Sequence, residues 1–188
     1  MIDPASVAAL VRRLDSPEEE KSRDLILMLL DHTPAPFSRD QFTPGHITCT
    51  GLVLHPDRRR ILLVHHRRLE RWLLPGGHVE PEDPDIWDTA RREVIEETGA
   101  ALANGRPAAL IGVDVHGIPG KRREPYHLHH DLLFRFTATS EQIQLSEESR
   151  DVVWCARADF DRYALPPNVR RAALCALSSR PEPSPPVR

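Results

Sequence analysis

Cysteine is scarce in this chain. Cys49, Cys155 and Cys175 are the only three in 188 residues. They are scattered, odd in number and form no Cys-x-x-Cys pair. That excludes a disulfide framework and makes a reduced, cytoplasmic setting the expectation. Long apolar runs are also missing. None approaches the ~20 residues a membrane helix needs. The start, Met1-Ile2-Asp3-Pro4-Ala5, lacks the charged-then-apolar layout of a signal peptide. Lysine is nearly absent, since only Lys21 and Lys121 contribute to the 25 basic residues. With 18 prolines, this reads as a compositional bias and not as chemistry. The net charge of −3 gives no bulk reason to expect nucleic acid or an acidic membrane as partner. The remaining composition, 40% hydrophobic and 28% charged, is that of a soluble globular protein long enough for one domain with a core.

Against these absences stands one dense stretch. Gly76-Gly77-His78-Val79-Glu80 is followed by Arg92-Glu93-Val94-Ile95-Glu96-Glu97-Thr98-Gly99-Ala100. It reads as a glycine turn, an acidic loop and a helix. Glu93, Glu96 and Glu97 are spaced i, i+3, i+4 and fall within a narrow arc of that helix. Like charges so placed repel one another. A hard divalent cation such as Mg²⁺ converts the repulsion into attraction, because it takes carboxylate, carbonyl and water oxygens. Carboxylates gathered on Mg²⁺ suit the handling of phosphates.

The stretch resembles the Nudix box, the signature of the Nudix hydrolases. The match runs without a gap from Arg92 to Ala100. In the first half, counting from Gly77, the first acidic position is Asp83 instead of Glu, and one extra residue precedes Arg92. The insertion falls within Glu82-Asp83-Pro84-Asp85, where a loop enters a helix and absorbs a residue cheaply. The resemblance implies an α/β/α sandwich with a mixed sheet. It also implies Mg²⁺-dependent hydrolysis, with Mn²⁺ as the substitute ion. The substrate would be a nucleoside diphosphate linked to some moiety X, giving a nucleoside monophosphate and phosphorylated X. The catalytic set it implies is Glu93, Glu96, Glu97 and Arg92. The metal ligands would be Gly76 through its carbonyl, Glu93, Glu96 and above all Glu97. Arg92 would pin the loop by pairing with Glu82 or Asp83. The general base stays open between Glu93 or Glu96 and a later acid, Glu147 or Glu148.

Around this core the periodicities predict an α/β fold. Residues 4–14 and 17–31 read as amphipathic helices, with a capping-box spacing at Ser16 and Glu19. They form an N-terminal helical extension over 1–40 that could pack on the core, make a homodimer contact or cover the site. The catalytic domain would span 41–180. Strands are expected over 46–54, 61–66, 72–74, 108–115, 126–138 and 152–154. The box helix should start near Pro84, with Asp83 as N-cap, and stop at Gly99. A last helix covers 167–178. The proline-rich tail over 181–188 reads as disordered.

Several residues are candidates for substrate contacts. On a strand, His127, His129 and Asp131 share one face while His130 takes the other. A polar pocket wall contacting phosphate or ribose is the preferred reading of that face, and a transition-metal site is the alternative. His78 follows the glycines and so lies near the metal. His46, His65 and His66 are further candidates. Arg67, Arg68 and Arg71, or Lys121, Arg122 and Arg123, could steer a polyphosphate, and Trp72 could stack on a base. Val115, His116 and Gly117 occupy the positions where a proline or tyrosine would mark two of the subfamilies. A second class of function is a catalytically weak nucleotide-binding or regulatory domain. The retention of all three box glutamates argues against it.

Overall fold

A computed structural model describes residues 2–103, 108–121, 124–147 and 149–179. Arg122, Arg123, Glu148 and the tail 181–188 lie outside the described residues. The chain order begins with α1 (Pro4–Arg12) and α2 (Glu20–His32), which precede β1 (Gly45–Leu54), β2 (Arg60–His66), β3 (Arg71–Leu73) and β4 (Gly76–His78). The box helix is α3 (Ile86–Thr98). It is followed by β5 (Ala109–Ile118), β6 (His127–Thr137), β7 (Ser149–Ala156) and α4 (Pro167–Ser178).

β1 is the organising strand because nearly every one of its residues is apolar or small and buried. Its whole length pairs in parallel with β6, from Gly45 beside Leu128 to Leu54 beside Thr137. Its other edge is shared between two antiparallel partners, β4 at Thr48–Thr50 and β2 at Leu54. β2 in turn carries β3 and β7, and β5 closes the far side on β6. The result is a seven-stranded mixed sheet of order β3-β2-β1-β6-β5, with β4 and β7 off that path. The two faces of β1 feed two cores. Ile47, Cys49 and Val53 pack with α1, α2 and α3, whereas Leu52 and Leu54 pack with Ala172, Ala173 and Ala176 of α4. This is the expected α/β/α sandwich. Val7, Val11, Ile26 and Leu29 belong to the first core. Of the three readings left open for the N-terminal helices, the structure therefore shows packing on the core.

Several expectations need correction. The box helix begins two residues later than predicted: Asp85 is its N-cap, accepting from the Ile86 amide at 2.6 Å. Asp83 is withheld from capping because Arg92 and Thr89 hold its carboxylate elsewhere. The Ser16–Glu19 capping box does not form. Glu19 is buried and spends its carboxylate on the Val113 amide at the β5 edge and on Arg171 of α4. A buried acid with a guanidinium partner outweighs an exposed cap. The Gly76-Gly77 turn is a short strand, and β5 and β7 run longer than expected. The predicted stop at Gly99 holds, with φ at +61°, a conformation glycine adopts without cost.

Candidate active site

α3 crosses β1 where Gly51 leaves room for Val94. This contact sets the helix against the sheet and brings the last turns of α3 to β4. The same logic repeats on β4 itself. A Cβ on Gly76 would lie 2.6 Å from the Cys49 carbonyl oxygen and 2.8 Å from Thr50 Cα. A Cβ on Gly77 would lie 2.5 Å from Glu93 Oε1. Only glycine lets β4 lie so close to both β1 and the glutamates.

The three box glutamates are graded by burial. Glu97 is buried, and its Oε1 accepts the Gly76 amide at 3.2 Å. Glu93 is largely covered beside Gly77, and Glu96 is exposed. One cation sits among them. Arg92 Nη1 donates to Glu93 at 2.9 Å and to Glu96 at 3.0 Å. Its Nε and Nη2 grip the two Asp83 oxygens at 3.0 and 3.1 Å, and Nη2 also donates to the His78 carbonyl at 2.8 Å. The loop acid that meets Arg92 is thus Asp83; Glu80 is a distant fourth carboxylate at 4.0 Å. Burial alone would raise the Asp83 pKa. Hydrogen bonds from Arg92, the Glu80 amide and Thr89, with the Arg92 charge, bring it below the ordinary aspartate value. The Asp83 hydrogen bonds in turn raise the Arg92 pKa, so the pair is ionised at neutral pH.

On the α4 side of the sheet the polar residues of three strands line up. His46, Thr48 and Thr50 of β1 stand beside His129 and Asp131 of β6, with His116 and Asp114 of β5 beyond them. Asp131 Oδ1 accepts both threonine hydroxyls at 2.9 Å. Burial raises its pKa against those two hydrogen bonds. His127, expected on the same face as His129 and Asp131, is buried against Phe42 and His46. His78 of β4 closes the group, its ring 5.0 Å from that of His46 and 5.3 Å from that of His129. Burial first, then the neighbouring His46, lowers His78 to about 4 and His129 to about 2. Both are neutral near pH 7. Glu19, Thr50, Asp114 and Asp131 border a cavity of about 30 Å³ under this face.

Other candidates are placed elsewhere. Arg67 donates to the Ser149 carbonyl at 3.3 Å, at the β2–β7 seam. His66 Nδ1 accepts the Arg68 and Leu69 amides as a turn cap. Trp72 stands against His65 and Tyr163 and, with Arg71, Arg162 and Tyr163, lines an open groove of about 650 Å³. His130 faces the apolar core, as the alternation predicts, and burial lowers it to about 4. Sequence reasoning missed the anchoring of Asp131 by Thr48 and Thr50. The available signal was His46-x-Thr48-x-Thr50, a polar alternation in an otherwise apolar strand.

Residues 45–174 match the family model of the NUDIX domain. Among curated proteins, "Nucleoside diphosphate-linked moiety X motif 6" of Homo sapiens is 45% identical over 62 residues, covering 30% of this chain and 19% of that protein. The chain therefore spans about a fifth of that relative's length. Among solved structures, the NUDIX domain of Shewanella oneidensis NrtR complexed with ADP ribose matches with a TM-score of 0.52 at 19% identity, over 80% of this chain and 97% of that one. A MutT protein from Bacillus halodurans matches with a TM-score of 0.50 at 23% identity, over 71% of this chain and 82% of that one. At such identities these structures establish the fold. The domain match covers well over half of the sequence, and the chain belongs to the Nudix family.

Proposed function

We propose that the protein is a pyrophosphohydrolase that cleaves a diphosphate bond in a nucleoside diphosphate derivative, with Mg²⁺ as its metal and Mn²⁺ as a substitute. The observation that carries this reading is the meeting of helix and β4, where Glu97 accepts the Gly76 amide and Glu93 lies against Gly77, with Arg92 tying Glu93 and Glu96 to the loop. The donor set fits a hard cation, since it offers carboxylate and backbone carbonyl oxygens without nitrogen or sulfur. The fit extends to space, because any side chain at Gly77 would fill the place of the Glu93 carboxylate. Glu93, Glu96, Glu97 and the Gly76 carbonyl would hold the ion. When bound, Mg²⁺ neutralises charge on the diphosphate and lowers the pKa of a coordinated water.

The chain's own residues then have distinct tasks. Glu97, buried and bonded to the Gly76 amide, fixes β4 against α3, so the glycine carbonyl keeps its position. Glu93 or Glu96 takes the proton of the attacking water. Arg92 is a positioning residue that holds Asp83 and the His78 carbonyl and so fixes the loop. The imidazoles of His78, His127 and His129 form a wall for the substrate, and Trp72 offers a stacking surface in its groove. Residues 41–180 would carry the catalytic unit and residues 1–40 would support it.

A chromatographic product assay with Mg²⁺ tests the reading. Nucleoside triphosphates, ADP-ribose, dinucleoside polyphosphates, nucleotide sugars and NADH would be compared, with Glu97→Gln as control. Cleavage of one class by the native protein, releasing a nucleoside monophosphate and absent in the variant, is expected. Folded protein that cleaves none of them would shift the reading to a nucleotide-binding domain.

A further inference from the structure

We infer that His46, His127 and His129 form a second metal site, separate from the box carboxylates and selective for a borderline divalent transition ion such as Zn²⁺. The three residues each present one ring nitrogen, and these nitrogens lie within 4.8 Å of one another. A point equidistant from nitrogens at that limit is about 2.8 Å from each, against about 2.0–2.1 Å for a Zn–N bond. Ring rotations of less than about 1 Å would close the difference.

The tautomers support the assignment. His46 Nδ1 lies 3.1 Å from the Gln41 carbonyl oxygen, and His127 Nδ1 lies 2.9 Å from that of Pro125. A carbonyl can only accept, so both Nδ1 atoms carry a proton, which leaves Nε2 of each ring as the nitrogen that can bind a metal. A backbone carbonyl on the far nitrogen is the usual partner of a metal-bound histidine, because it fixes ring and tautomer together. His46 is 1% exposed, and its Nε2 has no hydrogen-bond partner among the described residues. A buried lone pair left without a donor is costly, and a metal ion would satisfy it.

The local fold makes the cluster rigid. His46 and His129 are register partners across the parallel β1–β6 pair, and His127 sits two residues earlier on the same face of β6. The ring centroids of the three are 4.9–5.3 Å apart. His78 stands beside His46 and His129 but outside the group of three, which leaves a fourth position to water. Nitrogen donors select against Mg²⁺, which prefers oxygens, so the two sites would not compete for the same ion.

Isothermal titration of the full chain with Zn²⁺ in a large excess of Mg²⁺ tests the site. One Zn²⁺ per chain is expected, retained in Glu97→Gln and weakened at least about 100-fold in His127→Gln and His129→Gln. Zinc-edge X-ray absorption on the native protein gives a second readout that needs no variant. It should show imidazole nitrogens at about 2.0–2.1 Å. Absence of stoichiometric binding, binding abolished by Mg²⁺ or by Glu97→Gln, or a shell of oxygens alone would overturn the inference. None of these readouts depends on hydrolysis, so the site stands or falls apart from the proposed activity.

Discussion

The Arg92–Asp83 pair offers a quantitative test of how the active-site loop is held. Asp83 has 5% of its side-chain surface exposed and Arg92 20%. The contact is bidentate at 3.0 and 3.1 Å, which places it among buried ion pairs and not surface ones. Removing one partner of such a pair strands the other charge and typically costs about 3–5 kcal/mol. Arg92→Ala should fall near the low end of that range, about 3 kcal/mol, because Thr89 and the Glu80 amide still satisfy Asp83. The loss of repulsion relief is an added cost, since Arg92 is also the cation beside Glu93 and Glu96. Asp83→Asn should cost about 2–3 kcal/mol, for Asn cannot balance the guanidinium. The double variant should be less destabilised than the sum, with a coupling of roughly 2 kcal/mol, as residues in direct contact show. Urea unfolding in Mg²⁺-free buffer would measure all four proteins. The sign with pH is also fixed. Asp83 is lowered in the fold, so its stabilisation is present above the ordinary aspartate value of 3.8 and is lost as pH falls below it. Single losses below about 1 kcal/mol, or additivity within about 0.5 kcal/mol, would refute the view that this pair pins the loop.

Three further outcomes are expected. Glu97→Gln should abolish most hydrolysis while melting at or above the native temperature without Mg²⁺, because glutamine still accepts the Gly76 amide and removes one of three crowded charges; near-native turnover would count against the site. Gly77→Ala and Gly76→Ala should separate in thermal melts and kinetics. At Gly77 the new methyl meets the flexible end of Glu93, so activity falls with little loss of stability, whereas at Gly76 it meets the backbone of Cys49 and Thr50 and should cost about 1–3 kcal/mol or more; the reverse ranking would refute the packing argument. Stability should fall as pH drops from about 6.5 toward 4. His130 is held near 4 by burial, so over that window only the unfolded chain takes the proton. The largest contribution from this one residue is about 3 kcal/mol. His46, His78 and His129 act in the same sense, and His130→Leu should flatten the slope measured by denaturant titration at stepped pH.

The sequence by itself determined the parts that depend on local spacing. Glu93, Glu96 and Glu97 recur at helical intervals, Gly99 supplies the left-handed stop, and the alternation through His127–Asp131 assigns faces on a strand. These are consequences of backbone geometry over a few residues, and each is where the spacing put it. Local spacing also misled where a side chain had a better partner far along the chain. Asp83 looks like a helix cap, but Arg92 nine residues on claims it. Glu19 looks like half of a capping box, but Arg171 of α4 lies 152 residues away and still wins. Only the tertiary structure decided that β4 lies against β1, so that two glycines become the floor under the glutamates. It alone set β1 parallel to β6 in the register that brings His46 beside His129. Strand register is fixed by burial across the whole sheet, a property no short window contains. That is why Glu93, Glu96 and Glu97 could be read from the chain, whereas the imidazole cluster became visible only once the strands were paired.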